Sequence, residues 1–150
     1  MFVFEHLSPV KIKQYRVNSQ IPRFSKPQGL WWSVPGAGSW LEYTNSSDPW
    51  IATMQYKTLG AGIIQLDMSD ETKLLSFIES YKYAESEYSV DWIKVSENYD
   101  GIFFTNVDMV PYYFQKYNHY DGCWINSINV DSLCIWNPVA LGDITWKRNM

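Results

Sequence analysis

Few side chains in this 150-residue chain are of types that do covalent chemistry, and their spacing excludes the commonest arrangements. His6 and His119 stand far apart with no HExxH, so a histidine-based metal centre lacks its ligand set. Cys123 and Cys134 form no CxxC and are too few for a disulfide scaffold; free thiols in a reducing cytosol are the expectation. There is no GxxxxGK[ST] to cradle phosphates, and Gly36-Ala37-Gly38-Ser39-Trp40 lacks the third glycine and the following helix of a dinucleotide fingerprint. A Ser/His/Asp triad on His6 or His119 has no GxSxG elbow behind it. What remains is spread along the chain. His6 sits in the opening apolar segment, Gly29-Leu30-Trp31-Trp32-Ser33 is followed by Ser39 ten residues after Gly29, and Asp131 heads a late apolar run.

The elements that must position these residues are short. Phe2 to Leu7 reads as a β-strand stopped by Ser8-Pro9, and residues 18–29 are rich in turn formers and read as a loop. Leu30 to Trp32 reads as a short buried strand closed by the turn around Pro35-Gly36. The glycines flanking the tryptophan pair predict close backbone approach. Residues 52–66 read as a strand pair, or as one strand with a glycine break. The clearest helix is Glu71 to Tyr83, with Ser69 and Asp70 as N-caps and a stripe of Leu74, Leu75, Ile78 and Tyr81. Residues 90–95 fit a helical extension or a strand, Ile102 to Thr105 a strand, and Ser132 to Trp136 a last strand ended by Asn137-Pro138. Tyr112, Tyr113 and Phe114 are candidates either for stacking on a base or for the core.

Composition sets the frame. The length suits one domain over residues 1–150, and 46% hydrophobic with 17% aromatic residues gives ample material for a core, which excludes dominant disorder. The net charge of −4 argues against a general nucleic-acid-coating role. Charge is uneven: Lys11, Lys13, Arg16, Arg23 and Lys26 stand against Glu5 alone in residues 1–30, a net +4, leaving −8 for the rest. A solvated face is the plain reading of that segment, a local anion site the functional one. No apolar run approaches a membrane span or a signal-peptide core, so a protein without membrane association is expected in the cytoplasm. With no repeat or linker, a mixed α+β domain of short strands follows.

The stretches EHLSP (5–9), GLWWS (29–33) with Ser39, and DSLCIWNP (131–138), taken in order, resemble the ADP-ribosyltransferase superfamily. The likeness is to its poly(ADP-ribose) polymerase-like and diphtheria-toxin-like His-Tyr-Glu branch. FEHLSP is also similar to the Phe-His-x-Ser-Pro start of small phage- or toxin-type members, with one residue extra. The resemblance implies a split β-sandwich of two small sheets with few helices and with the three motif strands around one cleft. It also implies NAD+ as co-substrate, no metal, and cleavage of the nicotinamide–ribose bond with transfer of ADP-ribose.

Carried over residue by residue, His6 would hold a ribose, Trp31 would form the nicotinamide wall, and Ser39 and the backbone of Leu7 would meet the carboxamide. Asp131 would be the acid stabilising the ribosyl cation. Leu7 stands where polymerase-like members have Gly, Trp31 replaces Tyr, and Asp131 replaces Glu. Counting back from Asn137-Pro138 puts Ser132 in register with the family's Glu, unless a bulge restores Asp131. The size and acidity of the chain favour mono-ADP-ribosylation of a protein acceptor over polymer synthesis, with a nucleic-acid acceptor as the other candidate and host cytoplasm as the setting for a phage-encoded member. A catalytically inactive binding or inhibitor protein of the same fold is the alternative. An aromatic-rich carbohydrate-binding β-domain is a third reading, disfavoured by the 71–83 helix.

Overall fold

A computed structural model describes residues 1–21, 26–36, 47–83, 90–109, 112 and 124–150. They form an α+β domain built on one mixed seven-stranded sheet. In chain order the elements are β1 (Phe2–Ser8), β2 (Leu30–Ser33), β3 (Trp50–Tyr56), β4 (Ile63–Asp67), α1 (Glu71–Tyr81), α2 (Trp92–Asn98), β5 (Gly101–Thr105), β6 (Ser132–Ile135) and β7 (Asp143–Arg148). The spatial order is β4-β5-β6-β2-β1-β3-β7, antiparallel throughout except for the parallel pair β4/β5, which α1 and α2 connect. Among the described residues no helix is long and apolar enough to cross a membrane.

Local chemistry explains the helices. The Asp70 carboxylate accepts the free Lys73 N–H at the start of α1, and Asp91 does the same for Ile93 and Lys94 at the start of α2. The buried stripe of α1 is Leu74, Phe77 and Ile78; Leu75, expected in the stripe, is exposed. Phe77 follows Leu74 by three residues and so shares its face, whereas Leu75 is rotated about 100° away from it. Residues 90–95 are neither a continuation of α1 nor a strand: Val90 forms an isolated antiparallel bridge with Lys82, and α2 begins at Trp92 as a separate helix. Residues 52–66 contain two strands that do not pair with each other: β3 lies between β1 and β7, and β4 forms the opposite edge of the sheet. The break between them at Gly60–Gly62 starts a connection across the sheet rather than a hairpin.

Alternation divides the sheet into two faces. On one, Leu66, Ile102, Phe104, Cys134 and Trp136 pack under α1 and α2 with Trp92 and Trp124. On the other, Phe4, Trp32, Ala52, Met54, Phe103, Leu133 and Ile135 form a second cluster. Gly29 shows the close approach expected of it. A Cβ there would lie 2.7 Å from the Ile135 carbonyl oxygen and 2.7 Å from Cys134 Sγ.

The two small sheets expected from the resemblance are joined into one. Their seam is thin, however: β1 faces β3 over seven opposed residues but meets β2 at a single pair, Glu5 with Ser33. The seam separates a half made of β4, β5, β6 and β2 from a half made of β1, β3 and β7.

Candidate functional site

Of the singled-out residues, His6 and the Trp31 backbone meet at the seam, whereas Asp131 lines a cleft that neither of them lines. The Nδ1 atom of His6 lies 2.8 Å from the Trp31 carbonyl oxygen, so the imidazole bridges β1 to β2 next to their one opposed pair. A carbonyl only accepts, so Nδ1 carries the proton and donates it. Burial lowers the His6 pKa from 6.5, outweighing the upward pull of the Trp31 carbonyl and of the Asp48 charge. The ring is therefore neutral near pH 7, and Nε2 is left with a lone pair that accepts from a hydroxyl or an N–H.

Trp31 is joined to His6 through its backbone and not through its indole. Its side chain belongs to the helix-covered face, half-buried, stacked on Phe104 at 6.1 Å and 10°, with Lys26 Nζ 5.3 Å from its ring centre. The ring beside the imidazole is that of Trp32, 5.4 Å away and wholly buried. Adjacent residues of a strand point to opposite faces, so only one of the two tryptophans can neighbour the His6 ring. Leu7 is half-buried and, one residue on from His6, turns to the other face. Ser39 lies outside the described residues.

Asp131 sits just past the C-terminal end of β2, the end whose Ser33 opposes Glu5, and its carbonyl accepts from Val34 N–H at 3.2 Å. Its Oδ1 accepts from Val107 N–H at 3.0 Å, tying β6 to the short helical turn Val107–Met109 that follows β5. Asp131 also lines a cleft of about 340 Å³ with Val34, Asn106, Asp108 and Asn129. Asn106 holds φ of 55° there, a conformation that Asn tolerates better than most residues, and its Nδ2 donates to Asp67 Oδ1 at 2.7 Å. This cleft was missed in the sequence because its lining comes from three separate strand ends.

Ser132, next along β6, is buried, and its Oγ has no hydrogen-bond partner among the described residues. It stands opposite both Ser33 and Phe104, so Glu5, Ser33, Ser132 and Phe104 form one row across four strands. Cys134 is buried too, and burial pushes its thiol well above the usual range, which removes it as a nucleophile. Among the described residues no three His, Cys, Asp or Glu side chains are grouped to hold a metal ion.

No known family's sequence profile matches the chain, and no curated protein or solved structure is similar to it. The reading of the site therefore stands on its geometry and on the three sequence stretches.

Proposed function

We propose that the seam between β1 and β2 holds NAD+ and that the protein is a mono-ADP-ribosyltransferase acting on a protein acceptor in the cytoplasm, the host's if the chain is phage-encoded. The observation that carries the reading is the neutral His6 at the seam, donating from Nδ1 to Trp31 and presenting Nε2 as an acceptor for a ribose hydroxyl. Two further observations support it. EHLSP, GLWWS and DSLCIWNP fall on β1, β2 and β6, which are neighbours in the sheet. The single opposed pair at the seam of this one sheet also supports a relation to a split sandwich.

In the proposed reaction the bond between nicotinamide nitrogen and ribose C1′ breaks, and neutral nicotinamide departs with the bonding pair. A nucleophile of the acceptor then adds to C1′ and loses its proton to solvent. A fixed carboxylate near the ribosyl cation is worth several kcal/mol in such a site. Asp131 is the candidate, through the carboxylate oxygen that does not meet Val107. A nucleic-acid acceptor would use the same chemistry, with a base nitrogen or a phosphate as nucleophile.

The second reading, an inactive binding or inhibitor protein, has its own observation. Ser132 occupies the register of the family's Glu, and one oxygen of Asp131 is already engaged in capping a turn. A single assay of nicotinamide release from NAD+, with and without cell lysate, separates the two. The transferase reading expects release with lysate, a fall of orders of magnitude in Asp131→Asn with NAD+ affinity little changed, and a mild effect of Ser132→Ala. It also expects NAD+ to raise the melting temperature of the wild type and not of His6→Ala. A thermal shift without release makes the protein a binder; neither shift nor release sinks both readings.

A further inference from the structure

The positive segment noted in the sequence has a structural counterpart beside His6. Trp50 stands opposite Ser8 on β1 and opposite Arg148 on β7, and alternation puts all three on the face of His6, two residues along β1 from it. Lys11 Nζ lies 4.4 Å from the centre of the Trp50 ring, and the Arg148 guanidinium carbon also lies 4.4 Å from it. The two charges are therefore within about 9 Å of each other, roughly one screening length at physiological salt.

Lys11 and Arg148 are exposed and Trp50 is half-buried. Among the described residues the ion pair is Lys82 with Glu79, which does not involve them. An indole attracts cations through its ring quadrupole but leaves their N–H donors to be satisfied by other acceptors. Two like charges are thus held on one ring, and neither is in an ion pair with another described residue; the Asp48 carboxylate, two residues before Trp50, acts on His6.

We propose that Lys11 and Arg148, positioned by Trp50, form a phosphate-binding subsite for a ribose phosphate whose sugar rests on His6. Ser8 lies about 7 Å along β1 from His6, and Trp50 about 5 Å across from Ser8. The His6 and Trp50 backbones are therefore about 8 Å apart, a distance that a ribose and its own phosphate, met by the long cationic side chains, can cover. Arg148 offers a planar fork of donors to phosphate oxygens and Lys11 a compact point charge. The sugar half of the proposal rests on the reading of His6 given above; the phosphate half does not. The same phosphate chemistry has two sources, the diphosphate of the dinucleotide and the backbone of a nucleic-acid acceptor.

Calorimetric titration tests both halves, using inorganic pyrophosphate, adenosine, ADP-ribose and a single-stranded oligonucleotide. The proteins compared are the wild type, the Lys11→Ala/Arg148→Ala double variant, His6→Ala, and Lys82→Ala as a charge control, each checked for an unchanged melting temperature. Pyrophosphate affinity is expected to fall at least tenfold in the double variant and to stay unchanged in His6→Ala and Lys82→Ala. Adenosine binding should respond to His6→Ala alone. ADP-ribose weakened in the double variant identifies the dinucleotide as the source; the oligonucleotide weakened with ADP-ribose unchanged identifies the acceptor. Equal affinity of the double variant and wild type for all three phosphate ligands overturns the proposal, as does an equal loss in Lys82→Ala. Pyrophosphate binding that depends on Lys11 and Arg148, with no binding of adenosine or ADP-ribose, upholds the phosphate site and overturns the ribose reading of His6.

Discussion

The two halves of the sheet are built differently. In the β4, β5, β6 and β2 half, all four residues of β6 and the first four of β5 are buried, because α1 and α2 cover one face and the second cluster fills the other. In the β1, β3 and β7 half, β7 is at least partly exposed along its whole length, and no helix packs on it among the described residues. Rings fill the first half: Trp92 meets Trp124 edge to face at 5.6 Å, and Phe77 lies 6.0 Å from Trp92. The second half carries His6 and the cations around Trp50. One half thus supplies most of the buried apolar surface, which leaves the other free to present polar groups along the seam.

The sharpest test of this division is truncation of one large ring in each half. Trp92→Ala is expected to cost about 3–5 kcal/mol, the range for removing a fully buried aromatic, whereas Trp146→Ala on the half-covered β7 should cost about 1–2 kcal/mol. Urea denaturation measures both, and equal losses would break the comparison.

Next in size is a pair of glycines. Gly29→Ala drives a methyl into the Ile135 carbonyl and Cys134, an overpacking worth about 1–3 kcal/mol. Gly60→Ala, with nothing within 4 Å of its Cβ, should be neutral or stabilising by up to about 1 kcal/mol.

Asp131 comes third. Asp131→Ala leaves the Val107 N–H without its acceptor and should destabilise by about 1 kcal/mol, whereas Asp131→Asn keeps an oxygen there and should cost less. That contrast is what makes Asp131→Asn, and not the alanine, the proper probe of charge in the NAD+ assay.

The smallest effect is a pH dependence. The pKa of His6 is lower folded than unfolded, so between those two values the unfolded chain binds more protons and stability rises with pH. The contribution is fully present above about pH 6.5 and declines as the pH falls below it toward the folded value. His6→Gln should flatten that part of a stability profile measured by urea titration at a series of pH values. An unaltered slope would mean that the ring is not held neutral at the seam.

Much of this arrangement was legible in the sequence. The apolar runs at Phe2, Leu30 and Ser132, and the capped stripe starting at Leu74, announced β1, β2, β6 and α1 through local pattern alone. β7 was not read, although Ile144 and Trp146 alternate with Asp143, Thr145 and Lys147; an exposed edge strand carries too weak an apolar signal to stand out. The two sheets were expected to separate, yet Glu5 and Ser33 join them, because the pairing of distant strands is written in tertiary packing and not in any window of sequence. The same holds for the site. That Trp31 and Trp32 face opposite ways follows from strand period, but which of them turns to His6 depends on how β1 is laid beside β2.

Cys134 carries a consequence of another kind. Its sulfur is enclosed against Gly29, 3.9 Å from the Pro27 carbonyl oxygen, and burial keeps it a thiol. An alkylating reagent can reach it only when this cover opens, whether α1 and α2 lift from the sheet or β6 parts from β2, so the rate of its modification becomes a clock for the opening of the covered half. In a Cys123→Ser background that clock runs on a single residue and needs no added probe. If the halves open independently, urea too dilute to start the clock will already loosen β7, and the seam will be the boundary between two cooperative units.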